Sequence, residues 1–215
     1  MTLLALATKA PWPQDARRWF HIGVSGVLVH AFYLGGVFVA IKHGLPAGIT
    51  ALVVGMQPLL TAFGAGAFLG EAVTRRQWLG LALGFVGVFL VASAKFDGPG
   101  SNAPLLAMMI PAIVALLAIT IGTLYQKRFC PSFDLRTGSV IQFLPTAAIT
   151  TVAVLMFEDF RIEWAPQFIF ALGWLVLVLS LGAISLLNLL IRSGSAVNVA
   201  RLFYLTPPTT ALIAW

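Results

Sequence analysis

The stretch that decides the fold is GLPAGITALVVGMQPLLTAFGAGAFLGE, which runs from Gly44 to Glu71. Its apolar residues follow one another without the polar positions that an amphipathic helix of a soluble protein would have. An amide, Gln57, and a proline, Pro58, lie in the middle of this run. An apolar run of about 20 residues matches the thickness of the hydrocarbon core of a bilayer. The stretch therefore predicts a membrane helix that carries a polar group at mid-depth and ends at a carboxylate.

The composition of the whole chain agrees with a membrane protein. Of its 215 residues, 60% are hydrophobic and 9% are charged, and the mean hydropathy is +0.97. This is too little charge to cover the surface of a soluble domain of that length. Because lipid offers no hydrogen bonds, the backbone must form helices or a closed barrel, and long apolar runs select helices. We therefore expect an all-α, polytopic bundle with the lipid bilayer as its surroundings.

The apolar runs and the polar loops between them give about seven full or nearly full spans. A short apolar stub, MTLLALAT, precedes them at the N-terminus. The predicted spans are Trp19–Ile41, Pro46–Gly70, Gln77–Ala94, Pro104–Gln126, Ser139–Phe157, Phe168–Ile191 and a last one from near Val197 to Trp215.

The basic residues predict the orientation of these spans. The net charge of +6 could indicate nucleic-acid binding, but the 13 Lys and Arg residues lie in short clusters between apolar runs. If the loop before the first span is cytoplasmic, the cytoplasmic segments hold ten of the 13 basic residues. Such a bias over short loops is typical of membrane orientation. We expect the loops at Arg75 and Arg128 to be cytoplasmic, those at Asp97 and Asp159 to be external, and no nucleic-acid partner.

A weak internal repeat relates the two halves of the chain. A shift of 150 residues places Gly44 on Gly194, Leu52 on Leu202, and Pro58 on Pro208. Five spans separate the two copies, and an odd number inverts the second copy in the membrane. Inverted repeats are an architecture of secondary transporters, which bind their solute near the bilayer midplane. The repeat therefore favours a transporter.

Three motifs resemble the EamA-type permeases of the drug/metabolite transporter superfamily. They are the segment from Gln57-Pro58 to Gly70-Glu71, the glycine-rich GLALGFVGVFL, and YLTPPTTALIAW near the C-terminus. The resemblance implies a ten-helix fold of two five-helix repeats, of which residues 1–95 would be the rest of the first and 103–215 the second. It implies that the chain is truncated at both ends, and it leaves a homodimer open. It also implies efflux of a small metabolite across a bacterial inner (plasma) membrane.

Polar side chains within the spans are the candidates for solute binding, because an unpaired polar group in lipid is costly. His30 and Gln57 lie deep in the first two spans, and Tyr33 shares a face with His30. Asn188 lies in the sixth span and Arg201 near the start of the seventh. Each of them could instead make a hydrogen bond between helices. For Arg201, extension to the lipid headgroups and contact with a solute carboxylate are the alternatives.

Pro58 and Pro208 are the hinge candidates. A proline removes one backbone donor and frees the carbonyl one turn earlier, which bends a helix. Ordinary kinks are the alternative interpretation, but the recurrence of a proline in both copies favours a paired hinge.

The sequence offers no pattern for catalysis or for a cofactor. The spans contain no paired carboxylates, no metal-ligand spacing and no nucleophile with a base, and a phosphate-binding loop is missing. The single cysteine, Cys130, excludes an internal disulfide. We expect a secondary transporter without metal or cofactor, and not an enzyme. An inactive fragment of a transporter and a membrane enzyme remain as alternatives.

Overall fold

The computed structural model describes residues 2–93, 105–158 and 164–183, together with residues 186, 189, 190 and 201. All the regular elements in this part of the chain are helices. They are α1 (Thr2–Ala7), α2 (Ala16–Lys42), α3 (Ala47–Leu69), α4 (Arg75–Ser93), α5 (Leu105–Phe129), α6 (Leu135–Phe157) and α7 (Pro166–Trp174), which continues as a π-helical segment, Leu175–Ala183.

Each of the first five predicted spans corresponds to one helix, from α2 to α6. Four helical segments are long and apolar enough to cross a membrane among the described residues: Ala16–Lys42, Ala47–Leu69, Met108–Phe129 and Leu135–Phe157. The sixth predicted span is described as far as Ala183, and the seventh lies outside the described residues apart from Arg201. The all-α, polytopic architecture is therefore confirmed, whereas the number of spans and the inverted repeat stay predictions.

The starts of the helices are set by side chains that accept hydrogen bonds from the first turn. An Asp15 carboxylate oxygen accepts from the backbone N–H of Arg17 at 2.9 Å, and Asp134 does the same for Arg136 at 2.9 Å. Such caps satisfy backbone donors that the helix itself leaves unpaired. The Asp134 carboxylate also accepts from the Arg136 side chain, which lowers the pKa of Asp134 below its usual value.

Helices α3 and α4 meet at a turn that both of their sequences favour. Gly70 ends α3 with a φ of 67°, a left-handed conformation that glycine adopts without steric cost. At the start of α4, the Gln77 side-chain oxygen accepts from Thr74 N–H at 2.8 Å, and Thr74 Oγ1 accepts from Gln77 N–H at 3.3 Å. This reciprocal capping box fixes the entry into α4.

Helix α5 lies at the centre of the described bundle and packs against both α2 and α3. Helix α6 packs on α2, and α4 packs on α3. The Lys42 ammonium at the end of α2 forms an ion pair with Glu158 at the end of α6. At the opposite end, Thr137 Oγ1 donates to the Pro11 carbonyl at 3.0 Å. Helices α2 and α6 are therefore parallel, as the predicted alternation of spans requires.

The outward-facing side chains of the bundle are large and apolar. Phe63, Phe157 and Phe170 are exposed to 78%, 75% and 73% respectively. Water would be a poor solvent for such a surface, whereas lipid chains are as apolar as these side chains. The exposure pattern thus agrees with a bilayer around the bundle.

Glycines allow the helix backbones to approach closely. A Cβ atom added to Gly26 of α2 would lie 2.5 Å from both the Cα and the carbonyl oxygen of Gln142 on α6. A Cβ atom on Gly36 would lie 2.6 Å from the Pro111 carbonyl of α5. Small residues are favoured at membrane helix contacts because no hydrophobic effect draws the helices together there.

We expect Gly26→Ala to destabilise the bundle, because the clash is with backbone atoms that cannot rotate away. Overpacking of this kind costs about 1–3 kcal/mol in free energy of unfolding. The measurement is the thermal unfolding of the detergent-solubilised protein. Gly35→Ala on the same helix is the matched control, since a Cβ there would meet nothing within 4 Å. Equal melting temperatures for the two variants would contradict the described contact between α2 and α6.

We expect cysteine labelling to separate the two ends of the bundle. Burial raises the pKa of the Cys130 thiol to about 11, so this residue is a poor nucleophile and Cys130→Ala is a suitable background. Cysteines placed at the exposed positions Arg75 and Arg128 should react only with a reagent that enters the cytoplasm. A cysteine at the exposed position His43 should react with an impermeant reagent outside the cell. Labelling of Arg75→Cys and His43→Cys from one side would overturn the predicted orientation.

Candidate functional site

Helix α3 is broken at the point where the sequence carries its polar group. Its first half, Ala47–Val54, ends at Gly55, and its second half, Gln57–Leu69, has Pro58 in the first turn. The backbone N–H of Leu59 bonds the Met56 carbonyl at 3.0 Å, the pattern of a new helix start. Pro58 has no N–H, so the carbonyl of Val54 loses its helical donor. The proline thus lies beside a helix break, in a first-turn position that suits it.

Gln57 lies in this break and is buried. Its side-chain Nε2 donates to Thr61 Oγ1 at 3.2 Å, and the two side chains are 2% and 0% exposed. Two apolar clusters of α3 and α5, one containing Val53 and Leu116 and the other Ala62 and Leu124, lie on either side along the helix. Gln57 and Thr61 therefore form a buried polar pair near the middle of α3, between two apolar clusters.

His30 occupies a second irregular helix segment. Residues Val27–Phe32 of α2 form a π-helix, a distortion that often marks functional sites. The His30 ring is 5% exposed and stacks on Phe143 of α6, with 4.6 Å between ring centroids and 19° between planes. Its Nε2 has no hydrogen-bond partner among the residues that the structure describes. A buried nitrogen of this kind can bind a solute that enters the bundle.

Three neutral polar side chains join α2, α5 and α6 near the His30 segment. Gln142 Nε2 donates to Ser25 Oγ at 3.1 Å and to Gln126 Oε1 at 3.4 Å, and Ser25 Oγ donates to the Ile22 carbonyl at 2.8 Å. All three side chains are 0% or 1% exposed. We call Ser25, Gln126 and Gln142 the polar seam. Its hydrogen bonds fix the register of the three helices, since slippage would leave buried polar groups unpaired.

The structure describes only part of the predicted site. His30 and Gln57 are both buried, with different partners, Phe143 on α6 and Thr61 on α3, and their role in solute binding stays a prediction. Tyr33 is half-buried one turn above His30, and Arg201 is a partly exposed helical residue. Asn188 and Pro208 lie outside the described residues.

The polar seam was missed by the sequence analysis. Gln142 is the fourth residue of the fifth predicted span, and Gln126 is the last residue of the fourth. The rule that selected Gln57, a large amide deep in an apolar run, finds Gln142 only if residues within one turn of a span end are included. Ser25 carries a weaker signal, because a hydroxyl can bond its own helix backbone.

The polar groups at these sites are amides, hydroxyls and an imidazole. No group of three or more His, Cys, Asp or Glu side chains suited to a metal ion occurs within the described residues. Asp15, Asp134 and Glu158 lie at the ends of α2 and α6. The interior of the described bundle therefore offers neutral donors and acceptors.

Comparisons with known proteins find similarity to membrane transporters. Residues 1–93 match the EamA-like transporter family. The uncharacterised transporter YvbV of Bacillus subtilis is 27% identical over 86% of this chain and 59% of its own length. The uncharacterised inner membrane transporter YedA of Escherichia coli is 27% identical over 87% of this chain and 60% of its own. This chain thus spans about 60% of the length of these relatives.

Two further similarities cover different shares of the chain. A probable amino-acid metabolite efflux pump of Salmonella typhimurium is 29% identical over 55% of this chain and 35% of its own length. A solved crystal structure has a TM-score of 0.79 and 20% identity, and covers 99% of this chain and 72% of its own. At that identity the structural likeness establishes a shared fold. Residues 1–93 thus match the model of the EamA-like transporter family, and the chain that contains them has the helices of an integral, multi-pass membrane protein.

Proposed function

We propose that the protein is a secondary transporter that moves a small metabolite outward by alternating access, with the solute bound at mid-depth beside the break in α3. The observation that carries this proposal is the break itself, with Gln57 buried in it. Discontinuous membrane helices recur in transporters, because irregular backbone is tolerated at that depth only where it lines a cavity or is covered by protein.

The break supplies both kinds of hydrogen-bonding group. The Val54 carbonyl lacks its helical donor and can accept, while the Gln57 amide can donate and accept. Neither group carries a charge, so a bound ion would have to leave its hydration shell without a counter-ion at this point. The break therefore favours an uncharged or zwitterionic solute. The amino-acid metabolites named for the Salmonella relative fit that class and belong in the first panel of test solutes.

The polar seam and His30 supply a second set of hydrogen-bonding groups, at the contacts of α2, α5 and α6. Helix α5 packs against both α2 and α3. The unpartnered Nε2 of His30 and the amides of the seam are again neutral hydrogen-bonding groups. We propose that Tyr33, Asn188 and Arg201 complete the site, Arg201 by binding a carboxylate of a zwitterion.

Alternating access needs a hinge, and Pro58 with Pro208 is our proposal for it. A helix that is already divided at Gly55–Met56 can change the angle between its halves without breaking further hydrogen bonds. If the inverted repeat holds, Pro208 gives the second half of the protein an equivalent joint. The two joints would then open opposite ends of the cavity in turn.

We expect Gln57→Leu to reduce flux of a verified solute by about threefold to tenfold, the loss of one hydrogen bond of about 0.5–1.5 kcal/mol. Leucine is favourable in lipid, so membrane insertion should be unchanged. The measurement is uptake or release by liposomes that contain the full chain. Thr150→Val is the control, because this exposed hydroxyl bonds backbone carbonyls of its own helix. Wild-type flux in Gln57→Leu would remove the break from the transport pathway.

We expect Pro58→Ala to slow flux more than it lowers the amount of inserted protein. Alanine restores a backbone N–H that can reach the Val54 carbonyl, and the two halves of α3 can then join as one stiffer helix. Pro166→Ala is the matched control, since Pro166 also lies in the first turn of a helix, but at the start of α7 and not inside a predicted span. If both variants transport equally, Pro58 is not a hinge.

A further inference from the structure

We infer that the first turns of α2 and the last turns of α5 form a binding site for the headgroup of an anionic phospholipid. The site consists of Arg17, Arg18 and Arg128 around the paired rings of His21 and Phe129, and we call it the basic aromatic site. It lies at the end of the bundle that the charge pattern assigns to the cytoplasm.

Ring contacts bring the two helix ends together. The His21 ring stacks on Phe129, with 5.0 Å between centroids and 11° between planes, and its Nδ1 shares a hydrogen bond with the Tyr125 hydroxyl. Tyr125 and Phe129 also contact each other, with 4.6 Å between centroids. The start of α2 is therefore held against the end of α5.

The arginines are arranged around this contact. Arg17 and Arg18 precede His21 by four and three residues respectively, which is about one helical turn, and Arg128 directly precedes Phe129. All three arginines are exposed. The carboxylate of the same turn, Asp15, caps α2 by accepting from Arg17 N–H. Three guanidinium groups against one carboxylate leave a net positive charge, which is complementary to a lipid phosphate.

Aromatic surface next to the arginines suits the rest of a lipid molecule. Phe20 and Phe129 are 65% and 46% exposed. Trp12 and Trp19 stack at 5.7 Å, and Trp19 Nε1 donates to the Pro13 carbonyl at 2.8 Å, which holds this pair at the start of α2. Aromatic rings favour the depth of the headgroups and the first acyl carbons. The site thus offers contacts for both the phosphate and the chains, a combination that a free phosphate cannot use.

The chain provides a matched control for simple charge attraction. Arg75 and Arg76 at the start of α4 are also exposed and also belong to the basic end of the bundle. They lie on one helix, beside the capping pair of Thr74 and Gln77. Removal of either arginine pair changes the net charge equally, so any difference between them reports the basic aromatic site.

The test is lipid retention by the detergent-solubilised full chain in native mass spectrometry, with melting temperature as a second measurement. We expect phosphatidylglycerol to be retained, and to raise the melting temperature, more than phosphatidylcholine. Each arginine removed from the site should weaken phosphatidylglycerol binding about fivefold. The double variant Arg17→Gln with Arg18→Gln is compared with Arg75→Gln with Arg76→Gln, and the single variant Arg128→Gln is compared with Arg75→Gln alone, so that each control removes the same charge.

A smaller loss of phosphatidylglycerol in the control than in the site variants supports the proposal. An equal loss of phosphatidylglycerol in a site variant and in its control would overturn the proposal, since surface charge alone would then explain the binding. Inorganic phosphate that raises the melting temperature as much as phosphatidylglycerol would also overturn it. If the double variant at Arg17 and Arg18 does not fold, Arg128→Gln decides the outcome alone, because this residue is exposed at the end of α5.

Discussion

The absence of water in the hydrocarbon core is the constraint on which the rest of this structure depends. A backbone carbonyl or a side-chain amide that meets lipid without a partner costs several kcal/mol by order of magnitude. The described helices accordingly turn their polar groups inward, and Ser25, Thr61 and Gln142 are all fully buried. A break such as that at Gly55–Met56 can exist only because α5 and the rest of α3 surround it.

The central position of α5 follows from small residues on its neighbours and on α5 itself. Gly36 of α2 lies against the Pro111 carbonyl of α5, and Gly64 of α3 lies against Leu124 of α5. Because two helices approach the same partner closely, a change of angle in α3 must be absorbed at the α5 contact. The polar seam links α2, α5 and α6 by hydrogen bonds, so that these three helices resist sliding past one another. In the described bundle, hydrogen bonds thus hold α2, α5 and α6 together, whereas α3 is interrupted at Gly55–Met56.

Sequence patterns predicted the helices better than the contacts between them. The span predicted as Trp19–Ile41 begins three residues earlier, at Ala16, because the Asp15 cap extends it into a polar turn. Likewise α6 begins at Leu135 and not at Ser139, because Asp134 caps a first turn too polar for a hydropathy rule. Burial of Gln57 could be predicted from the cost of an amide in lipid. The stack of His30 on Phe143 could not be predicted, since it depends on how two helices are rotated against each other. The π-helix at Val27–Phe32 could not be predicted either, because it differs from an α-helix only in which carbonyl each N–H bonds.

The neutral chemistry of the interior also constrains how the protein can work. A buried carboxylate or ammonium would need a partner at every stage of a conformational cycle, because breaking a buried ion pair leaves an uncompensated charge. Amides and hydroxyls avoid that difficulty, since each can exchange a helix partner for a solute at small net cost. The described ion pairs, Lys42 with Glu158 and Arg136 with Asp134, lie instead at the ends of the helices, where water can replace either partner. Within the described residues, ion pairs therefore lie at the ends of the helices, while neutral hydrogen bonds occupy the interior between them.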